Sequence, residues 1–333
     1  MLTKTKKLLK KIKNAVLYYL SYVITPSDIG KNKKHIHKIR FILRTFWFPI
    51  LTFKLIYYIA NHHNRGYILH WQPGFPYKLH RPYLSLALSG EDRLKGIISH
   101  YSNQLISNDL IFNREGSKNG AVIACFQGSS GSEYLLRFYS SCGLDKEGEL
   151  TFSINHCGNI LAKITFTIMS YSGQDVLFIG GIQGGAPGTA HDQIKQATKE
   201  CYGAFPKRIV IEAIRAFSIK LNINRIVSVS NKTHVYSSKR YMTKKKDVFL
   251  ASYDTFLESI GGEIDSNDHY IIPINSVSKS LDDIPSKKRA QYKRKQELLA
   301  LVFTQVYENV LIPPLQKFKE KTMIAEKHSV FKI

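Results

Sequence analysis

A glycine-rich stretch is the first feature of the sequence whose composition suits ligand binding. It reads Gln183-Gly-Gly-Ala-Pro-Gly188 and directly follows a nearly all-apolar run, 175–182. A loop of this kind leaves backbone N–H groups accessible, and at the start of a helix such groups bind phosphate because the helix dipole is positive there. The candidate binding residues for an anionic group such as a pyrophosphate are therefore Gln183, Gly184, Gly185 and Gly188.

Polar side chains follow the short apolar segment 225–230, which is predicted to be a buried strand. Asn231, His234 and Tyr236 come next in the sequence, at the carboxyl end of that strand, where α/β proteins tend to bind ligands. Imidazole titrates near neutral pH, so His234 is a candidate general base. Two alternatives stay open: His234 can be a structural histidine, and Asn231 can either cap the strand end or bind a ligand.

The pattern around these residues predicts the elements that carry them. Segments 149–154 and 160–168 alternate between apolar and polar residues, and with 175–182 they predict an antiparallel meander whose last strand is buried on both faces. Two helices follow, separated at Gly203–Pro206, because glycine ends a helix and proline begins one. We therefore expect the strands 175–182 and 225–230 to be parallel, joined by a right-handed crossover.

Further elements are predicted outside this central part of the chain. Residues 66–82 are interpreted as a loop because glycines and prolines punctuate them. A basic run over 287–295 opens an amphipathic C-terminal helix. The other predicted elements are strands over 121–126, 134–139 and 269–273, and helices over 90–103 and 247–260.

The charge of the chain is concentrated at its amino-terminal end. The 333 residues carry 48 Lys and Arg against 25 Asp and Glu, a net charge of +23. Residues 1–65 hold 14 of those basic residues and a single acid, Asp28, which gives +13. There the lysines and arginines stand beside aromatic and aliphatic runs, a combination that suits an anionic lipid surface. A core helix with a solvated basic face and a nucleic-acid contact are the alternatives.

Several classes of protein are excluded or not expected. A hydrophobic content of 44% with 22% charged residues excludes global disorder, and the sequence has no uncharged apolar stretch long enough for a polytopic membrane protein. The run Ile24-Thr-Pro-Ser-Asp28 is not a signal-peptidase site, so secretion is not expected. Four scattered cysteines without a C-x-x-C pair predict no zinc ribbon, and no metal site is expected.

A set of short motifs extends over about residues 80 to 300. It consists of Gly181-Ile-Gln-Gly-Gly185, Ala197-Thr-Lys199, Gly203, Pro206-Lys207, Val229-Ser-Asn231, His234, Tyr253-Asp254, Gly261-Gly262 and the basic run Lys287-Lys-Arg-Ala-Gln-Tyr-Lys-Arg294. With these motifs in this order, the sequence closely resembles the VirK/YbjX family of bacterial proteins. The resemblance implies a Gram-negative protein linked to virulence, envelope remodelling and resistance to antimicrobial peptides, and it supplies no agreed reaction.

A second resemblance concerns the fold. The predicted elements follow one another as a meander, a glycine-rich loop, helices, a strand ending in Asn231, a helix with Tyr253 and a final strand. This order is similar to that of the acyl-CoA N-acyltransferase (GNAT) fold. It implies that the parallel strands splay to hold a pantetheine arm and that Tyr253 is a phenolic acid for the leaving thiolate. A tyrosine that only packs in the core is the alternative. The sequence departs from that fold in its loosely spaced glycine motif and in having two crossover helices.

These observations predict an α/β (α+β) fold, a GNAT-like mixed sheet with flanking helices. A basic helical region over residues 1–65 precedes the α/β domain at 66–312 and a tail at 313–333. We expect a cytoplasmic protein peripheral to the inner membrane, with the periplasm as the alternative location. The expected partners are the anionic inner-membrane surface and envelope or surface virulence proteins; nucleic acid is not expected, since no nucleic-acid-binding motif is present.

Two functions are compatible with the sequence. The first is a virulence-associated factor of the VirK/YbjX type that supports outer-membrane remodelling, biogenesis of surface virulence proteins or antimicrobial-peptide resistance. The second is an acyl or aminoacyl transferase that uses acyl-CoA or acyl-carrier protein as donor on an envelope substrate. Whether the chain is an enzyme stays open, and the candidate catalytic residues are His234, Tyr253 and Tyr236.

Overall fold

Eight strands of the described part of the chain form one mixed sheet at the centre of the structure. The computed structural model describes residues 2–24, 34–103, 120–140, 143–185, 191–238, 253–276 and 278–310. The strands are β1 Ala121–Gln127, β2 Glu133–Tyr139, β3 Leu150–His156, β4 Asn159–Tyr171, β5 Gln174–Gly184, β6 Ile226–Val229, β7 Glu263–Ile264 and β8 His269–Ile272. Their order across the sheet is β1-β2-β3-β4-β5-β6-β8-β7.

One neighbouring pair, β5 and β6, is parallel, and the other pairs are antiparallel. The predicted fold class, a mixed α/β sheet with flanking helices, is confirmed, as are the meander and the parallel pair. Apolar and polar residues alternate along β3 and β4, which is the period of a strand, and β5 is buried along most of its length. Because β5 and β6 are parallel neighbours, their carboxyl ends lie at the same end of the sheet.

Helices flank the sheet on both faces. Phe217 contacts the ring of Phe166, with 5.6 Å between ring centroids, whereas Gly96 lies against Met169. Residues three apart in a strand point to opposite faces, so Phe166 and Met169 mark the two sides of β4. The helices are α1 Leu2–Ile24, α2 Lys34–Trp47, α3 Pro49–Ala60, α4 Arg65–Trp71, α5 Gly90–Ser102, α6 His191–Glu200, α7 Pro206–Lys220, α8 Tyr253–Ser259 and α9 Ser286–Asn309.

The amino-terminal helices pack on the rest of the chain through α3. Leu55 and Ile59 of α3 are buried in the main hydrophobic core, while Ala15 of α1, Phe41 of α2 and Ile56 of α3 form a smaller second cluster. No described helix is long and apolar enough to cross a bilayer. The domain boundaries at residues 65 and 312 stay predictions, and residues 313–333 lie outside the described part.

The interpretation of residues 66–82 as a loop was wrong. This stretch contains most of α4 and a 3₁₀ helix, Phe75–His80. Pro76 lies at the start of the 3₁₀ helix, where its missing N–H leaves no hydrogen bond unmade. The prolines and glycines therefore mark the beginnings of short helices that the tertiary core holds in place.

The predicted helices over 90–103 and around Gly203–Pro206 are present as α5, α6 and α7. Of the helix predicted over 247–260, the structure describes Tyr253–Ser259, and 247–252 lie outside the described residues.

Candidate active site

The site lies where β5 separates from β6. The two strands pair only from Leu177 with Ile226 to Ile179 with Ser228. On its other side β5 continues along β4 as far as Gly184, with a register shift that leaves Gly180 without a partner. Such a bulge re-aims the backbone locally. Beyond Ile179, the edge of β5 is therefore available to groups other than β6.

Tyr253 occupies that edge. Its hydroxyl oxygen accepts a hydrogen bond from the backbone N–H of Ile182 at 3.0 Å, and its oxygen is 3.2 Å from Nε2 of His234. The same Nε2 lies 3.7 Å from Oε1 of Glu147. The three side chains are almost completely shielded from solvent. Tyr253, His234 and Glu147 thus form a buried row of groups that can exchange protons.

The tautomer of His234 follows from its second nitrogen. Nδ1 accepts the backbone N–H of Tyr236 at 3.3 Å, so the proton of a neutral imidazole lies on Nε2. Nε2 then donates towards Tyr253 Oη or Glu147 Oε1. In this geometry Nε2 of His234 lies between the oxygens of Tyr253 and Glu147, and the role of His234 as the general base stays a prediction.

Sequence analysis missed Glu147. Its backbone and side chain lie directly over Gly180 and Gly181, where a Cβ on either glycine would overlap it. Nε2 of Gln183 donates to both carboxyl oxygens, each at 2.9 Å. Two adjacent glycines inside a buried strand indicate that another chain segment approaches closely, and that signal could have led to a residue of the preceding loop.

Asn231 joins β6 to α8. Its side-chain oxygen accepts the N–H of Tyr253, and the Asp254 carboxylate accepts the N–H of Asn231, both at 2.9 Å. These reciprocal bonds cap the start of α8 and fix Tyr253 beside β5. The structure thus shows Asn231 in a strand-end and capping role, and its contact with a donor stays a prediction.

The other predicted site residues lie around this cluster. The ring of Tyr236 is 5.4 Å from that of His234 and faces Lys146, whose Nζ is 5.5 Å from the ring centroid. Gln183, His234, Tyr236 and Tyr253 are brought together. Gly184 and Gly185 follow at the end of β5, and Gly188 lies outside the described residues.

Burial controls the protonation of Tyr253. Loss of solvent raises its pKa well above the ordinary value, and the nearby Glu147 carboxylate raises it further, against the opposing effect of the Ile182 N–H. The phenol therefore keeps its proton at neutral pH and can donate it when a neighbouring group becomes negative.

A second buried network supports the turn that carries His234. Ser85 Oγ lies 2.7 Å from His269 Nε2 and donates to the carbonyl of Thr233 at 3.3 Å. His269 Nδ1 is 2.9 Å from the hydroxyl of Tyr171, which donates to Asp265. Burial lowers the pKa of His269, although Asp265 opposes the shift. Because Ser85 and His269 are fully buried, we assign them a positioning role.

Comparison with known proteins identifies the family. A family model described as a protein of unknown function (DUF535) matches residues 30–308. The Escherichia coli (strain K12) protein described as uncharacterized protein YbjX is 36% identical over 270 residues, covering 80% of this chain and 81% of that protein. An uncharacterized Haemophilus influenzae protein is 30% identical over 125 residues, 38% of this chain and 40% of its own length.

Among solved structures, a mutant of a cAMP-binding acyltransferase from Mycobacterium smegmatis shows 9% identity and a TM-score of 0.28, with 65% of each chain covered. The family match extends from α2 to the end of α9, through the candidate site. The chain belongs to the VirK/YbjX family, DUF535.

Proposed function

We propose that the chain transfers an acyl group from a thioester donor to an acceptor at the Tyr253–His234–Glu147 cluster. The observation that carries the proposal is the position of the Tyr253 hydroxyl. It lies on the Ile182 N–H where parallel strands separate, and it connects through His234 Nε2 to a buried carboxyl group. The cluster contains both a proton donor and a proton acceptor within one short row.

Acyl transfer needs both groups, because the attacking nucleophile loses a proton and the departing sulfur gains one. In our proposal Glu147 accepts the proton of the acceptor, and Tyr253 donates its proton to the sulfur. After the products leave, Glu147 releases its proton and Tyr253 regains one from water, while His234 stays neutral with its Nε2 proton between the two oxygens. The exclusion of water from these side chains strengthens their mutual electrostatic interactions.

The end of β5 fits the arm of such a donor. Among the described residues, nothing lies within 4 Å of a Cβ built on Gly184, so the strand is open there, whereas Glu147 covers Gly180 and Gly181. Gln183, Gly184 and Gly185 would hold the donor, with Gly188 and Asn231 as the further candidates. The bound donor, acyl-CoA or acyl-carrier protein, supplies the activated acyl group as a thioester.

Calorimetry on the full chain tests this function. We expect CoA thioesters to bind with micromolar affinity and Gly184→Glu to abolish binding, because the new carboxylate enters the open space and repels the donor's phosphates. Gly66→Glu is the matched control, since Gly66 is also open and has no left-handed backbone conformation but lies in α4. Tyr253→Phe should retain binding and lose about 100-fold in thiol release, measured with a bacterial envelope fraction as acceptor.

Failure of the folded chain to bind either acyl-CoA or acyl-carrier protein contradicts the proposal. Equal thiol release by the Tyr253→Phe variant and the unchanged protein contradicts the role of Tyr253 as the acid.

We also propose that the chain binds an anionic membrane surface, in keeping with the envelope role that the family resemblance implies. The supporting observation is the exposed corner between α2 and α3, where Phe46 is 77%, Trp47 81% and Ile50 67% exposed. Exposed aromatic side chains with basic neighbours are typical of interfacial helices. The bound membrane would bring an envelope acceptor, and envelope or surface virulence proteins, towards the transfer site.

Vesicle sedimentation tests the membrane contact. Phe46→Ser with Trp47→Ser should weaken binding to phosphatidylglycerol vesicles by at least about tenfold, because each buried aromatic side chain contributes roughly 1.5–3 kcal/mol. Binding should also fall as salt rises. Phe205→Ser is the control, because Phe205 is exposed but precedes α7. Equal losses in both variants would show that the corner does not bind the membrane, and equal binding to neutral vesicles would contradict the preference for an anionic surface.

A further inference from the structure

A groove between α1 and α3 has the dimensions of a ligand site. Its volume is about 670 Å³, within the range of about 300–1,000 Å³ that is usual for small-molecule pockets. Its walls are mostly apolar and aromatic. They include Leu8, Ile12, Phe53, Tyr57, Tyr58 and Ile98.

Hydrogen bonds fix the relative positions of α1 and α3, which form the groove. The side-chain amide of Asn61 donates to the carbonyl of Lys11 at 3.1 Å and to that of Tyr57 at 2.9 Å. Asn14 of α1 donates to Asn61 Oδ1 at 3.3 Å. One asparagine thus ties both walls together, so the groove is part of the packed structure.

Basic groups line one side of the groove, and no acidic residue is among the described residues that line it. Lys11 is exposed, and Lys54 is half-exposed and paired with Glu91 at 2.9 Å. His62 is neutral: Nδ1 accepts the N–H of Asn64, Nε2 donates to the Tyr101 carbonyl, and burial lowers its pKa. The positive charge of the groove therefore comes from its lysines.

The same residues connect the groove to the exposed apolar face of the helices. Leu8 and Phe53 line the groove and are about half exposed, 52% and 47%. α1 also presents Lys4, Lys6, Lys7, Lys10 and Lys13 to solvent. An apolar cleft that opens on a surface with lysines at its rim matches an amphiphile with an anionic head.

We propose that this groove binds one acyl chain of an anionic phospholipid, with Lys11 contacting the head group. The inference deepens the proposed membrane binding, on which it rests for the source of the lipid. The corner between α2 and α3 would contact the bilayer surface, whereas the groove would bind a single lipid molecule.

Binding of a monomeric lipid tests the groove separately from the surface. The probe is lauroyl-lysophosphatidylglycerol below its micelle concentration, titrated into the full chain by calorimetry. Lauroyl-lysophosphatidylcholine and inorganic phosphate are the comparison ligands. We expect the anionic lipid to bind about fivefold more tightly than the zwitterionic one, the effect of one favourable charge contact, and phosphate alone not to bind.

Neighbouring residues on α1 provide matched controls. Leu8 and Lys11 line the groove, while Leu9 and Lys10 are similarly exposed and do not line it. Leu8→Glu should weaken lipid binding by at least about tenfold and Leu9→Glu by less than about twofold, because only the first places a charge in the groove. Lys11→Gln should remove the preference for the anionic head, and Lys10→Gln should preserve it.

Equal losses within either matched pair overturn the proposal, as does binding of phosphate alone or equal affinity for both lipids. Vesicle binding without monomer binding also overturns it while leaving the membrane surface intact. Monomer binding without vesicle binding supports the groove and contradicts the membrane proposal.

Discussion

Replacement of Glu149 by glutamine is expected to destabilise the protein by about 3–5 kcal/mol, because it leaves the ammonium of Lys78 buried without a counter-charge. Both side chains are completely buried, and Nζ of Lys78 lies 2.5 Å from Oε1 of Glu149. Tyr83 donates to the same oxygen at 2.5 Å, and Gln72 and Tyr101 donate to Oε2. The carboxylate thus joins the 3₁₀ helix and α5 to the residue before β3.

The pH dependence of stability should show the same interaction. Burial acts to raise the pKa of Glu149, but Lys78, His100 and hydrogen bonds from Lys78 and Tyr101 outweigh it and lower the pKa from 4.5 to about 2. A folded-state pKa below the unfolded one stabilises the fold above about pH 4.5, and the stabilisation disappears as the pH falls towards 2. The difference corresponds to roughly 3 kcal/mol.

Urea unfolding between pH 7 and pH 2 measures both effects. Glu149→Gln should have a lower free energy of unfolding at neutral pH, and its stability should fall less steeply in acid than that of the unchanged chain. Glu91→Gln is the control, because it breaks the exposed Lys54–Glu91 pair and should cost less than about 1 kcal/mol. Similar small losses in the two variants would show that Glu149 does not hold a buried charge.

The sheet could be predicted from the sequence because its signals are local. Alternation along β3 and β4, the apolar run of β5 and the helix break at Gly203–Pro206 each depend on residues close together in the chain. The parallel pairing of β5 with β6 then follows from their connection. Such patterns reach the ends of the strands, which is why His234 and Gln183 were identified.

The residues that complete the site could not be identified from local patterns. Glu147 reaches the cluster only because the chain before β3 crosses Gly180 and Gly181, a long-range contact without periodicity. Lys78 presents the same difficulty, since a lysine among prolines and glycines is typical of a surface loop. Its burial depends on Glu149, a partner 71 residues away. Long-range polar pairs of this kind require the folded structure.

Substitution of alanine at three glycines of β5 should separate the stability of the strand from the position of Glu147. A Cβ on Gly180 would overlap the backbone carbonyl of Glu147 and touch Leu84. That backbone is held by the hydrogen bond from the Leu84 N–H to the Lys146 carbonyl at 2.8 Å. Gly180→Ala should therefore cost about 3 kcal/mol, measured by thermal and urea unfolding.

At Gly181 the added Cβ would overlap the carboxyl group of Glu147, the far end of a side chain. We expect Gly181→Ala to destabilise the fold less than Gly180→Ala but to move the carboxyl group away from Gln183 and His234. Thiol release should then fall about 100-fold, the contribution of a misplaced acid–base group. Gly184→Ala is the control and should change stability by less than about 0.5 kcal/mol.

Comparison of stability and thiol release among the three glycine variants distinguishes two cases. In the first, the carboxyl group of Glu147 is part of the site; in the second, β5 only lacks space for side chains. If Gly181→Ala and Gly184→Ala retain the same thiol release, the position of the Glu147 carboxyl group does not matter for transfer, and our assignment of the proton acceptor is wrong. If Gly180→Ala is as stable as the unchanged chain, the segment before β3 can move away from β5. We expect Gly181→Ala to lose transfer and Gly180→Ala to lose most of the stability. That result requires that the backbone of Glu147 stabilises the sheet and that its carboxyl group takes part in acyl transfer.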